Sequence, residues 1–160
     1  MKYTRQNIIR GAIIYSAGDT IAALLLHEFS LNRLMGMILV GATVYAFEIP
    51  NYFKWIDKKT ADLKNPKLWV SKTLLAILYF NPIWIARHLL FIKLFEGDFD
   101  AINIDLLRIA SWSFLVNIPI SFIANAIIQN KIKISWRFMA SAIFSAIMAI
   151  YYAMSLTIFK

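Results

Sequence analysis

The chain has 160 residues, of which 60% are hydrophobic and 15% aromatic, and 17 Lys and Arg against 9 Asp and Glu leave a net charge of +8. That apolar share exceeds the roughly one half found in soluble domains, and the 16% of charged residues falls short of their usual share of about a quarter. The cations gather between apolar runs, as membrane-flanking loops require, which argues against a nucleic-acid partner, and the absence of cysteine excludes disulfides, thiolate metal sites and a cysteine nucleophile.

Five runs approach or exceed the roughly 20 residues needed to cross about 30 Å of hydrocarbon: residues 8–26, 34–53, 69–95, 106–129 and 136–159. The expected fold is all-α, a polytopic membrane bundle of five transmembrane helices in one domain spanning residues 1–160, with the lipid bilayer as its first partner. The first run has no small-x-small cleavage pattern with a polar start behind it, so it is expected to stay as a helix. It carries Asp19 within "YSAGDTIAALLL" and a set of small residues, Gly11, Ala12, Ser16, Ala17 and Gly18, suited to close helix packing.

The second run carries Glu48 and ends in the aromatic-rich "IPNYFKWID". Aromatics also bunch in "KLWV" and "SWRF", where amphipathic rings settle at the headgroup level. A polar connection, "DKKTADLKNPK", leads to the third run, which is longer than one crossing needs. Pro82 within "YFNPIWIARHLL" is expected to kink it by removing a backbone hydrogen bond. The fourth run holds Asn117, Asn125 and Pro119, a second expected kink.

Orientation follows from the basic residues near the run ends. Lys2, Arg5, Lys54, Lys58, Lys59, Lys64, Lys67, Lys131, Lys133 and Arg137 fall on one side of a five-span arrangement. The other side has Arg33, Lys93, Arg108, Lys160 and the acidic Glu96, Asp98, Asp100 and Asp105. The N-terminus is therefore expected in the cytoplasm and the C-terminus outside, with a prokaryotic plasma membrane as the expected setting.

Ionisable side chains at membrane depth are expensive and usually face the bundle interior, a partner or water. Those expected there are Asp19, Glu48, Lys72, Arg87 and His88, joined by the amides Asn81, Asn117 and Asn125. At about 1.5 Å of rise per residue, Asp19 lies near mid-depth. Glu48 comes level with Lys72, an expected ion pair for which Arg10 competes, while Arg87 or His88 is the expected counterpart of Asp19 through the long arginine stem. A polar pathway would then be lined by Asp19, Asn81, Arg87, His88, Asn125 and Glu48. The plainer reading of Asn117 and Asn125 is interhelical hydrogen bonding.

No catalytic constellation stands out. His27 and His88 lie on different runs without a second ligand at i+4, and no glycine-rich phosphate loop is present. Neither an enzyme nor a cofactor or metal is expected.

The ordered residues resemble the Mpv-type family of small peroxisomal and mitochondrial inner-membrane proteins. The resemblance rests on Gly18–Asp19, then Arg33 and Gly41, the segment "YFKWID", Lys72 and Pro82, Pro119 and Asn125 with Trp112 upstream, and Arg137 and Tyr151. Departures fall at Ala23, at Ala46–Phe47 and at Ala76–Ile77, where the family carries polar or Gly-Pro residues. The segments "GDTIAALL", "YFNPIWIA" and "PNYFKWID" are also similar to the bacterial L-alanine exporter family, which normally has four helices. Both resemblances imply a membrane channel or transporter for small solutes or ions, with Asp19 on its path; a small amino-acid exporter and a non-transporting membrane scaffold are the alternatives. Assembly into a homo-oligomer stays open.

Overall fold

A computed structural model describes residues 3–158, with side chains described up to 148 and at 150 and 151. Among the described residues there are helices and no strands: α1 (Arg5–Leu25), α2 (Leu31–Val40), α3 (Ala46–Lys59), α4 (Lys67–Tyr79), α5 (Pro82–Glu96), α6 (Asp105–Lys131) and α7 (Ile134–Ile158). A π-helical turn, Gly41–Tyr45, joins α2 to α3 without a break.

Four helical stretches are long and apolar enough to cross a membrane: Arg5–Leu25, Leu31–Lys59, Lys67–Glu96 and Asp105–Lys131. In α7 the apolar stretch among residues with described side chains, Ile134–Met148, is shorter. Each helical stretch begins one to three residues before its apolar run, because polar residues there can satisfy the free N–H groups of a first turn. Thr4 caps α1 by accepting from the Asn7 N–H at 3.3 Å, and Ser30 caps α2 by accepting from the Arg33 N–H at 3.1 Å.

The π turn has a steric setting. Gly11 of α1 and Gly41 face each other so closely that a Cβ on either would strike the other's carbonyl oxygen. One residue beyond regular α-helical phase rotates the succeeding helix by about 100°. Tyr45, Ile49, Phe53 and Ile56 thereby all reach the core, each at most 1% exposed. Gly18, seven positions along α1 from Gly11, packs instead on Ala146 of α7. The small residues of α1 thus serve close packing against two different neighbours.

The third apolar run corrects an expectation. It is broken in two rather than bent, because the residue before a proline is driven out of helical geometry and the proline has no N–H to continue the ladder. Asn81 is extended, with φ −73° and ψ 175°, and Pro82 opens α5 at its first turn. The Asn81 side chain closes the gap on both sides: Oδ1 accepts from the Trp84 N–H at 3.0 Å and Nδ2 donates to the Leu78 carbonyl at 3.0 Å. Such compensation is what a helix break at membrane depth demands. At Pro119, by contrast, α6 runs on uninterrupted from Asp105 to Lys131.

Candidate functional site

Two ionic clusters mark the two ends of the bundle. At the end formed by the α1–α2 turn and the α5 terminus, Asp19 is 1% and Arg33 2% exposed. Arg33 grips Asp19 with both prongs, Nε to Oδ2 at 2.8 Å and Nη2 to Oδ1 at 2.7 Å. Its remaining nitrogen, Nη1, donates to Glu96 Oε1 at 2.6 Å, and Lys93 Nζ holds the other oxygen of Glu96 at 3.0 Å. The cluster ties α1, α2 and α5 together. At the opposite end Asp57 of α3 is shared by Lys72 of α4 at 2.6 Å and Arg137 of α7 at 2.7 Å.

These contacts correct the expected pairings. Asp19 is held by Arg33, not by Arg87 or His88, because α2 starts at Leu31 and makes Arg33 a helical residue folded back along the α1–α2 hairpin. Glu48 is held by Arg87, Nη2 to Oε2 at 2.6 Å and Nη1 to Oε1 at 3.0 Å, and accepts from the Tyr79 hydroxyl at 2.9 Å. Lys72 turns instead to Asp57. Arg10 donates to the Ser135 carbonyl at 3.4 Å and lies over the Trp136 ring.

The remaining expected pathway residues have separate surroundings. His88 is 3% exposed, with Nδ1 hydrogen-bonded to the Tyr45 hydroxyl at 2.9 Å and its ring stacked on Trp84 at 5.7 Å. Asn81 is occupied as the cap of α5. Asn125 is buried on α6, its Nδ2 donating to the Ser121 carbonyl at 2.9 Å. Of the six residues expected on one path, Arg87 and Glu48 pair with each other, while no hydrogen bond or ion pair joins Asp19, Asn81, Arg87 and Asn125 to one another.

A different polar line emerges on α6. Ser113, Asn117, Ser121, Asn125 and Gln129 recur every four residues and are all buried, from 0% to 7% exposed. Residues four apart share an inclined ridge of a helix, and this one extends about 24 Å at 1.5 Å per residue, most of a hydrocarbon layer. Asn117 Nδ2 donates to Ser121 Oγ at 2.8 Å within the row. Ser113 Oγ, Asn125 Oδ1 and both polar atoms of the Gln129 amide are buried without a hydrogen-bond partner among the described residues.

Of this row the sequence reading singles out Asn117 and Asn125 alone. The i+4 repeat was the available signal for Ser113, Ser121 and Gln129, and Arg33 was recoverable by treating the short connection before it as a helical hairpin. Among the described residues no group of three His, Asp or Glu side chains could hold a metal ion. No family model, curated protein or solved structure matches the chain.

Proposed function

We propose that the protein is an integral membrane channel or transporter that passes small solutes along the buried polar row of α6. One observation carries this reading: polar groups on Ser113, Asn125 and Gln129 lie buried without partners among the described residues along a line about 24 Å long. In a bilayer, each such group costs several kcal/mol unless water or a solute satisfies it. A hydrated or solute-occupied path supplies those missing partners.

In this reading α7 is the fifth span, the end bearing Asp57 is cytoplasmic together with the N-terminus, and the C-terminus lies outside, as the distribution of lysines favours. A prokaryotic plasma membrane remains the proposed setting. The likeness to the Mpv-type and L-alanine exporter families supports the same class of activity. Asp19 moves from a solute-binding role to a structural one, locking α1 to α2 beside the path.

The test is solute flux in proteoliposomes across a panel of ions, small amino acids and small uncharged solutes, with matched reconstitution of wild type and Gln129→Leu. Flux in the wild type that falls in the variant is the expected result. Absence of flux for every solute would sink the reading and leave a membrane scaffold. That second reading draws on the Asp19–Arg33–Glu96 cluster, whose charges are fully engaged with one another.

A further inference from the structure

The α6 row meets a small, largely enclosed cavity of about 10 Å³ between α5, α6 and α7. Phe80, Phe144 and Met148 form its apolar wall, and Trp84, Ser121, Asn125 and Ser145 supply its polar lining. Two buried polar atoms at the cavity's lining residues have no hydrogen-bond partner among the described residues, the Trp84 indole Nε1 and Asn125 Oδ1. Their chemistry is fixed and complementary. Indole nitrogen only donates, and because Asn125 Nδ2 must be the donor to the Ser121 carbonyl, the other amide atom is an oxygen that only accepts.

Neither group is free to turn away. Trp84 is stacked on His88 with an interplanar angle of 4° and meets Phe80 edge-on at 5.0 Å. Asn125 is 1% exposed and tethered to its own helix. No Asp, Glu, Lys, Arg or His lines the cavity, so an ion entering it would lose its hydration shell without meeting a countercharge. The volume is about that needed to seat a single water molecule.

We propose that this cavity is a binding site for an uncharged molecule of about water's size that accepts a hydrogen bond from Trp84 and donates one to Asn125, and that it excludes ions. The chemical class is a small neutral donor–acceptor, with water and ammonia as the simplest members. As a selectivity site the cavity rests on the transport reading above; as a binding site it does not.

Two measurements separate the parts. Osmotic water permeability and ammonia entry are followed by stopped flow in proteoliposomes holding wild type, Trp84→Phe or Asn125→Leu, alongside potassium and chloride flux. Water or ammonia permeability above that of empty vesicles, falling roughly two- to tenfold in each variant as for loss of one hydrogen bond, with ion flux at background, is the expected result. Ion or amino-acid flux indifferent to both variants leaves transport standing and overturns the selectivity assignment.

If no solute moves, the transport reading falls, and a second readout decides the binding site. In protein labelled with ¹⁵N-tryptophan and held in nanodiscs, the indole signal missing from Trp84→Phe identifies Trp84. A cross-relaxation peak from that indole N–H to water, lost in Asn125→Leu, is expected. An indole N–H with no contact to water, or a contact unchanged in Asn125→Leu, would overturn the site. The indole–water contact is read in the wild type itself, with Trp84→Phe needed only for assignment, so the test stands even if Asn125→Leu misfolds.

Discussion

Arg33 closes on Asp19 with two parallel hydrogen bonds, 2.7 and 2.8 Å long, inside a bundle where neither residue is more than 2% exposed. Removing one partner of such a pair leaves an uncompensated buried charge, which typically costs about 3–5 kcal/mol. Asp19→Asn is therefore expected to lower the thermal unfolding midpoint in detergent markedly. The double replacement Asp19→Leu with Arg33→Met is expected to recover much of the loss, since an apolar pair of similar size needs no countercharge. A double variant no more stable than the single one would show that the cluster matters through Glu96 rather than through Asp19.

Asp57 offers a contrast in the same fold. It also joins three helices, but its side chain is 31% exposed, so the contact with Lys72 and Arg137 is partly screened. Asp57→Asn should cost less than Asp19→Asn, since water reaches Asp57 although Lys72 and Arg137 are largely buried. Raising the salt concentration to about 1 M should shrink the Asp57→Asn effect and leave the Asp19→Asn effect nearly intact. Equal salt sensitivity of the two variants would contradict the burial difference between the clusters.

Gly11 and Gly41 bring two helix backbones into direct contact, and the atom opposing any new Cβ is a backbone carbonyl that cannot rotate away. Gly11→Ala is expected to destabilise by about 1–3 kcal/mol, the range for overpacked interiors. Ala17→Gly, on the exposed side of the same helix, should cost about 1 kcal/mol from helix propensity alone. Chemical unfolding monitored by tryptophan fluorescence would separate the two effects.

The end of α1 carries an unusual residue. His27 adopts φ 58°, and the turn is closed by Glu28 N–H to the Ala23 carbonyl at 2.8 Å and His27 N–H to the Leu24 carbonyl at 3.2 Å. This is the hydrogen-bond pattern that glycine usually terminates, as Gly97 does after α5 at φ 76°. His27→Gly should stabilise the protein by about 1 kcal/mol and Gly97→Ala should destabilise it by a similar amount. Opposite shifts of the unfolding midpoint in the two variants are the readout.

Much of the architecture is legible in the residue order. Apolar runs near crossing length mark the helices within a few positions, and Pro82 marks an interruption of the third run. The severity of that interruption is decided by Asn81, whose side chain can satisfy both helix ends and so makes a complete break tolerable. The polar row of α6 is also written in the sequence as a four-residue repeat, yet serines are common in apolar helices and attract notice only once all five positions prove buried.

Partnership is where the residue order runs out. Composition and hydropathy determine that this chain is helical, apolar over long stretches and ringed by cations, because those properties sum over residues regardless of where each one points. Whether Glu48 meets Lys72 or Arg87 depends on helix phase, and the π turn at Gly41–Tyr45 shifts that phase by about 100°, whereas whether Asp19 meets Arg87 or Arg33 depends on where the α1–α2 hairpin turns back. Ion pairs reach only a few ångströms, so a shift of that size changes which partner is within range. The tertiary structure alone sets Trp84 and Asn125 on one small cavity, because they lie on different helices whose meeting depends on the break at Asn81 and Pro82.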